Sequence, residues 1–381
     1  MWLTITGMAA VALWNGWQWL RDRALAQRSC AEQEDRSQRV SAADAAQSAG
    51  ALNVSVLVAA WNEAEMIDDH IRSFLALSYP RKQLILCAGG PDGTYRLASA
   101  YASSQVKVLE QHPGEGKQGA LRRCLEQADG EILYLTDADC LLSDGAFVGT
   151  LAPLLQGLEE ATTGTSRPLL RQESNPFVIH QWCTDLYVNA RQPDYVTGLL
   201  GRNCAVRREA LLEAGGFDAD VRTGTDYYLG KCLVRAGYKI RWVRDGAVHT
   251  RYPDTCWSYW RRQSRWVRNL WLHAPAFGAV KELRLAQLTA LAGLAMLGTP
   301  LAAAIAAGLG AHTAVGWLLG LYSVLLMHAV SARLRYLRFA HLFHGVNLSW
   351  RSVLLTPAYL LADWAAWTAG AVDLVVRRKE W

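Results

Sequence analysis

Between residues 51 and 140 four short apolar runs alternate with three amphipathic ones, and that alternation leaves few folds open to the chain. The apolar runs lie in LNVSVLVAAWNE, KQLILCAGGPDGT, VKVLEQHPGEGK and GEILYLTDADC; helical spacing fills EMIDDHIRSFLAL, TYRLASAYAS and KQGALRRCLEQA between them. Strands that alternate with helices in this way predict a parallel, doubly wound α/β sheet. Ligands of such sheets gather at the carboxyl ends of the strands. The loops beginning at Ala59, Ala88, Gln111 and Thr136 therefore share the edge where a site is expected.

That edge carries chemistry. Asn62 and Glu63 close the first strand, Asp92 sits in GGPDGT, Lys117 follows PGEG, and Asp137 and Asp139 close the fourth strand. An Asp at a strand end has an ordinary use in turns and helix caps. Two carboxylates one residue apart also offer oxygen ligands to a hard divalent cation. Alone, DAD favours the turn; with three other polar strand ends in the same crevice, the cation is favoured. Asp92 can equally set a glycine-rich turn, and Lys117 can equally be a solvated first-turn lysine.

In order and spacing these segments resemble the signatures of family 2 glycosyltransferases of GT-A fold, a Rossmann-like nucleotide-diphospho-sugar domain. SVLVAAWNE is similar to the opening nucleotide-binding strand, GKQGAL to the Gly-Lys helix start, and DGEILYLTDADC to the DxD strand. GRNCAVRREALLEAGGFD resembles the acceptor-side block, GTDYYLGKCLVRAGYKIRWV the segment bearing the catalytic base, and RQSRW the Arg/Gln-x-x-Arg-Trp signature. The resemblance spans residues 52 to 270, and TDYYLGK with Arg262 is similar to ceramide glucosyltransferases and related bacterial lipid glycosyltransferases.

The resemblance implies a UDP-sugar donor bound by Asn62, Glu63, Asp92, Lys117, Asp137, Arg262 and Arg265. It implies Mg²⁺ or Mn²⁺ held by Asp139, with Asp137 nearer the ribose or the metal's waters. Asp226 is implied as general base, and Arg202 and Trp266 as acceptor contacts. Two departures stand out: Ala88 replaces an Asp that many relatives carry, and Thr225 precedes Asp226 where many read Glu. Asp226 also suits a helix N-cap. Arg262, Arg265 and Trp266 also suit an amphipathic helix that only anchors at a membrane surface, and Gln263 offers a second, shorter register. A satisfied structural role is expected for His249.

Apolar residues concentrate in Trp2 to Leu20, Leu285 to Leu309, Ala314 to Val330 and Val353 to Val376, each near the ~20 residues that cross a hydrocarbon core. The first is followed by Arg21 and Arg23 rather than a small-residue cleavage site, so it is expected to be a retained anchor. Those arginines, with Arg333, Arg335 and Arg338, mark the cytoplasmic side. The last segment has basic residues at both ends and Asp363 and Asp373 inside; it suits an interfacial or re-entrant helix as well as a span. The expected domains are an anchor (1–23), a polar tether with helical tendency (24–50), a cytoplasmic GT-A domain (51–255), an amphipathic interfacial segment (256–283) and C-terminal membrane helices (284–381).

The eight cysteines form no CxxC pair and no metal-ligand spacing, so structural thiols are expected. A net charge of +5 with a basic run around Arg261 to Arg265 suits a membrane surface or a phosphorylated substrate, and no nucleic-acid signature is present. The expected activity is inverting, metal-dependent transfer of a hexose, glucose by the resemblance, from a UDP-sugar to a membrane lipid at the cytoplasmic leaflet. Processive polysaccharide synthesis is the alternative, and a non-catalytic nucleotide-binding scaffold a third reading.

Overall fold

The computed structural model describes residues 2–47, 52–218, 221 and 223–375. Along the chain the elements run α1 (Trp2–Gln47), β1 (Val54–Trp61), α2 (Ile67–Leu75), β2 (Lys82–Gly89), α3 (Thr94–Ser99), β3 (Val106–Glu110) and α4 (Gly116–Glu126). Next come β4 (Ile132–Leu135), β5 (Cys140–Leu141), α5 (Asp144–Leu155), β6 (Ala161–Pro168), α6 (Pro176–Asn189), β7 (Tyr195–Val196), β8 (Cys204–Arg207), α7 (Arg208–Glu213) and α8 (Thr225–Arg235). The chain continues with β9 (Ile240–Thr250), α9 (Cys256–His273), α10 (Val280–Gly308), α11 (His312–His344), α12 (Trp350–Leu354) and α13 (Thr356–Val375).

Two compact units result. An α/β unit comprises Cys30–Leu170 and Gln192–Arg251; a helical unit comprises Met1–Ser29, Arg171–Arg191 and Tyr252–Trp381. Arg171–Arg191, which the sequence reading places inside one continuous GT-A domain, clusters with the helices, because α6 packs on α11, α12 and α13. The stretch read as a tether continues α1 as helix through Gln47.

In the α/β unit the strand order is β3-β2-β1-β4-β8-β6-β9-β5, with β7 on β9. The first four strands are parallel, as expected, and β8 runs antiparallel to β4 and β6. Strand side chains point alternately to opposite faces, so β1 serves two cores. Val54, Val56, Val58 and Ala60 pack with Ile67, Ile71, Phe74 and Phe147 on one face. Leu57 packs on the other face with Leu121, Leu133, Cys204 and Leu229. Burial on both faces makes β1 a near-continuous apolar run.

In the helical unit α10 and α11 are long and apolar enough to cross a membrane. Leu285, Leu288, Leu291, Leu301 and Trp317 stay exposed along them. α13 approaches its neighbours through small residues: a Cβ at Gly370 would stand 2.9 Å from Ser264 O of α9, and a Cβ at Gly293 of α10 would stand 2.7 Å from Trp364 O of α13. Asp363 points inward, where the Arg333 guanidinium and the Tyr259 hydroxyl hold it. The seven cysteines with described side chains are all free.

Candidate donor and catalytic site

The β1–α2 and β2–α3 loops are tied into one unit. Asn62 takes φ 60°, the one positive φ of a non-glycine residue among those described, and Asn tolerates this left-handed conformation through local hydrogen bonding. Its N–H donates to Gly89 O at 3.1 Å. Gly90 has φ 114°, and a Cβ there would lie 2.3 Å from Asn62 Oδ1, so no other residue fits. Asp92 joins the loops. Its Oδ2 accepts from Ala64 N (2.9 Å) and its Oδ1 from Thr94 N (3.0 Å) and Thr94 Oγ1 (2.7 Å), while Glu63 N donates to Thr94 Oγ1 (2.8 Å). Slight desolvation would raise the Asp92 carboxyl, but these hydrogen bonds outweigh it and hold it below its ordinary value. This is the turn-setting role that the sequence left open for Asp92.

Glu63 is half-buried beside the DxD turn. Burial first, then the negative charges of Asp139 and Asp137, push its carboxyl up to about 7, with Arg251 opposing. Arg251 itself pairs with Glu65 at 2.7 Å.

At the end of β4, Lys117 from the first turn of α4 forms an ion pair with Asp137. Burial alone would lower the ammonium; Asp137, followed by Asp226 and Asp139, outweighs it and holds the lysine above its ordinary value. Asp139 has no ion-pair partner among the described residues. Its Oδ1 accepts from Thr250 Oγ1 at 3.3 Å, and its backbone O accepts from Arg251 N at 3.2 Å. Burial, then repulsion from Asp137, raise its carboxyl, with Arg202 opposing. Thr136 Oγ1 donates to Arg202 O at 3.0 Å and links the DxD turn to the acceptor-side block.

Asp226 lies in the first turn of α8, whose N-cap is Gly224 at φ 70°. It is therefore not the N-cap that its local sequence allowed. Oδ2 accepts from Gly201 N at 3.4 Å and Oδ1 from Tyr227 N at 2.9 Å. Gly201 makes this approach possible, since a Cβ there would stand 2.8 Å from Asp226 Cβ. The charge of Asp226 acts on Lys117, as do those of Asp137 and Asp139.

Asn62, Glu63, Asp92, Lys117, Asp137, Asp139, Arg202 and Asp226 thus all belong to the α/β unit, and the ionisable groups around the DxD turn act on one another. Arg262, Arg265 and Trp266 lie on α9 in the helical unit. There the Thr255 and Ser258 capping box starts the helix. Arg262 stands 5.3 Å from the Tyr252 ring centroid, and Trp266 is exposed. His249 is a ladder residue of β9 whose Nδ1 lies 3.2 Å from Pro168 O. Sequence reasoning passed over Thr94, Thr250 and Gly201. Nothing local marks the threonines; Gly201 stood inside the acceptor-side block, but only its neighbour Asp226 shows why it is glycine.

Among the described residues no group of three or more His, Cys, Asp or Glu side chains is placed to hold a metal ion. Two crowded carboxylates at one strand end suit a cation that completes its shell with substrate phosphates. Such a cation would relieve the repulsion that raises Asp139.

Residues 51–269 match the family model described as glycosyltransferase like family 2, and residues 177–373 that described as glycosyl transferase family group 2. The chain is 24% identical over 225 residues to the poly-beta-1,6-N-acetyl-D-glucosamine synthase of Staphylococcus epidermidis, covering 56% of this chain and 54% of that one. It is 24% identical over 232 residues to the probable glycosyltransferase YdaM of Bacillus subtilis, with the same coverage of 56% and 54%. It spans about half the length of these relatives. In structure it is similar to mannosyltransferase PcManGT from Pyrobaculum calidifontis, solved with GDP-Man and Mn2+, at TM-score 0.52 and 18% identity over 99% of both chains. That likeness is one of fold. The matched family models, together with the ordered strand-end motifs on a GT-A sheet, establish that this chain is a glycosyltransferase of family 2.

Proposed function

We propose that the protein transfers a sugar, with inversion, from a UDP-sugar to the end of a growing glycan. The observation that carries a transfer site is the clustering at the carboxyl edge of the sheet of Asp137, paired with Lys117, of Asp139, which has no ion pair among the described residues, and of Asp226, all three of whose charges act on Lys117. The synthase relatives favour a glycan acceptor over the lipid acceptor that the sequence reading puts first.

In this reading the acceptor hydroxyl oxygen attacks the anomeric carbon from the face opposite the diphosphate. Asp226 takes the hydroxyl proton as the new glycosidic bond forms. The bond from the anomeric carbon to the diphosphate oxygen breaks, and the diphosphate leaves with the electron pair. Asp139, with Asp137 beside it, would hold Mg²⁺ or Mn²⁺, which supplies Lewis-acid neutralisation of the leaving diphosphate. Lys117 holds Asp137 in place through their ion pair. Asn62 and Glu63 line the donor loop that Asp92 organises, and Arg202 serves the acceptor side. Arg262, Arg265 and Trp266 keep the donor and acceptor roles implied by their signature. The arginine distribution supports a cytoplasmic face for the α/β unit.

A second reading, a single transfer to a membrane lipid, is favoured by the exposed apolar faces of α10 and α11. Purified protein incubated with Mn²⁺, labelled UDP-sugars, oligosaccharide primers and candidate lipids separates the two. A ladder of lengthened primers supports the synthase reading. One labelled lipid without a ladder replaces it with the second, and no transfer from any UDP-sugar sinks both.

A further inference from the structure

In the helical unit α1 and α11 lie side by side and run in the same direction. Thr4 meets Gly320, Gly7 meets Val324, and further along the pair Trp19 meets Arg338. A Cβ at Gly7 would stand 3.0 Å from Val324 Cγ2, so small residues bring the helices together. Their apolar stretches are consequently in register, and both give way to arginine at the same end: Arg21 and Arg23 on α1, Arg333, Arg335 and Arg338 on α11.

A shallow, open cleft lies at that end, lined by Trp19, Arg23, Arg335, Arg338, Leu342 and Phe343 among others. The one acid in its wall, Asp22, is already committed. It is 4% exposed and is held by Arg335 Nε (3.2 Å), Arg191 Nη2 (3.0 Å) and the Tyr187 hydroxyl (3.0 Å). Arg338 lies over the Trp19 ring. Among the described residues neither Arg23 nor Arg338 forms an ion pair with a carboxylate, and their like charges act on each other. Among the described residues the cleft therefore carries more positive than negative charge, with Asp22 the acid that acts on Arg338.

We propose that this cleft binds the phosphate of an anionic membrane-lipid headgroup. Guanidinium groups match phosphate oxygens in planar, bidentate geometry. Trp19 and Leu342 are 40% and 53% exposed, which offers apolar contact just below the phosphate. Aromatic and basic residues at the end of an apolar helix pair occupy the depth of the headgroups, where arginine draws anionic lipid. The cleft shares no residue with the donor, acceptor and base sets named above. It rests on α1 and α11 lying in a membrane and not on which acceptor the enzyme uses.

The test uses the full chain, extracted from nanodiscs of equal phosphatidylglycerol and phosphatidylcholine, with retained lipid counted by native mass spectrometry. Wild type retains phosphatidylglycerol in roughly tenfold preference, and Arg23→Gln/Arg338→Gln removes most of that preference. Among the described residues neither arginine has a carboxylate partner to orphan, and the elution profile on gel filtration verifies the fold. A charge-matched control, Arg21→Gln/Arg351→Gln, keeps the preference. Equal retention of both lipids by wild type overturns the site, as does an equal loss in the control variant. Loss of the preference in millimolar inorganic phosphate overturns the lipid assignment in favour of a free anion. Glycosyl transfer assayed in parallel shows whether the proposed activity stands independently of these outcomes.

Discussion

Lys117 holds Asp137 in an ion pair, whereas Asp139, two residues on, has no such partner among the described residues. The two carboxylates of one motif are thereby made unequal, and the difference supports the proposal that Asp139 is the one that faces the metal directly.

Asp139→Asn is expected to lower kcat on the order of 10³-fold, the scale of lost Lewis-acid stabilisation. Asp137→Asn should cost less, and Lys117→Ala should mainly raise the donor KM. Both partners of the Lys117 pair are about one-third exposed, so its loss is expected to cost about 1 kcal/mol. Titrating activity against Mn²⁺ in each variant checks this ordering. Unaltered Mn²⁺ activation in Asp139→Asn would remove the assignment.

Asp226 depends on the absence of a side chain at Gly201, where a Cβ would come 2.8 Å from Asp226 Cβ. Asp226→Asn should lower kcat about 10²- to 10⁴-fold while donor affinity holds. Gly201→Ala should displace the carboxylate and cost on the order of 10²-fold. Calorimetric donor binding alongside single-turnover rates separates chemistry from binding; a fall in affinity equal to the fall in rate would exclude the base role.

Glu63 gives the α/β unit a pH dependence of defined sign. Its folded carboxyl titrates near about 7 against an ordinary 4.5, so the folded state keeps a proton that the unfolded chain releases. Stability from this group is complete below about 4.5 and is lost as pH rises through about 7, by up to about 3 kcal/mol. Unfolding midpoints of wild type and Glu63→Gln, measured from pH 4.5 to 8.5 without added metal, should diverge toward alkaline pH in favour of the variant. Parallel profiles would show that Glu63 does not titrate there.

The Arg333–Asp363 pair joins α11 to α13 with side chains 10% and 2% exposed. Arg333→Met should cost about 3–5 kcal/mol, because it leaves a buried carboxylate uncompensated, and Arg333→Met/Asp363→Leu should recover most of that loss. Thermal unfolding in detergent reads both. If the double variant is no more stable than the single, the cost arises from packing and not from the orphaned charge.

The parallel half of the sheet was legible because burial on both faces writes itself into β1, β2 and β4 as near-continuous apolar runs, and the DxD turn because it ends one of them. Asp92 was ambiguous in sequence: a nucleotide contact and a turn-setter use the same residue, and its bonds to Ala64 and Thr94, which tie two loops together, appear only in the tertiary structure. The place of Arg171–Arg191 was hidden because an amphipathic helix such as α6 does not state which partner will cover its apolar face.

By itself the sequence determined the strand–helix alternation, the motif order and hence the family, since all of these are local patterns along the chain. Tertiary structure decided that Asp137 is neutralised by Lys117 while Asp139 is not, that Gly201 makes room for Asp226, and that arginines of α1 and α11 surround one cleft. Each of these depends on through-space distance between residues far apart in the chain, and charge and steric exclusion act through that distance.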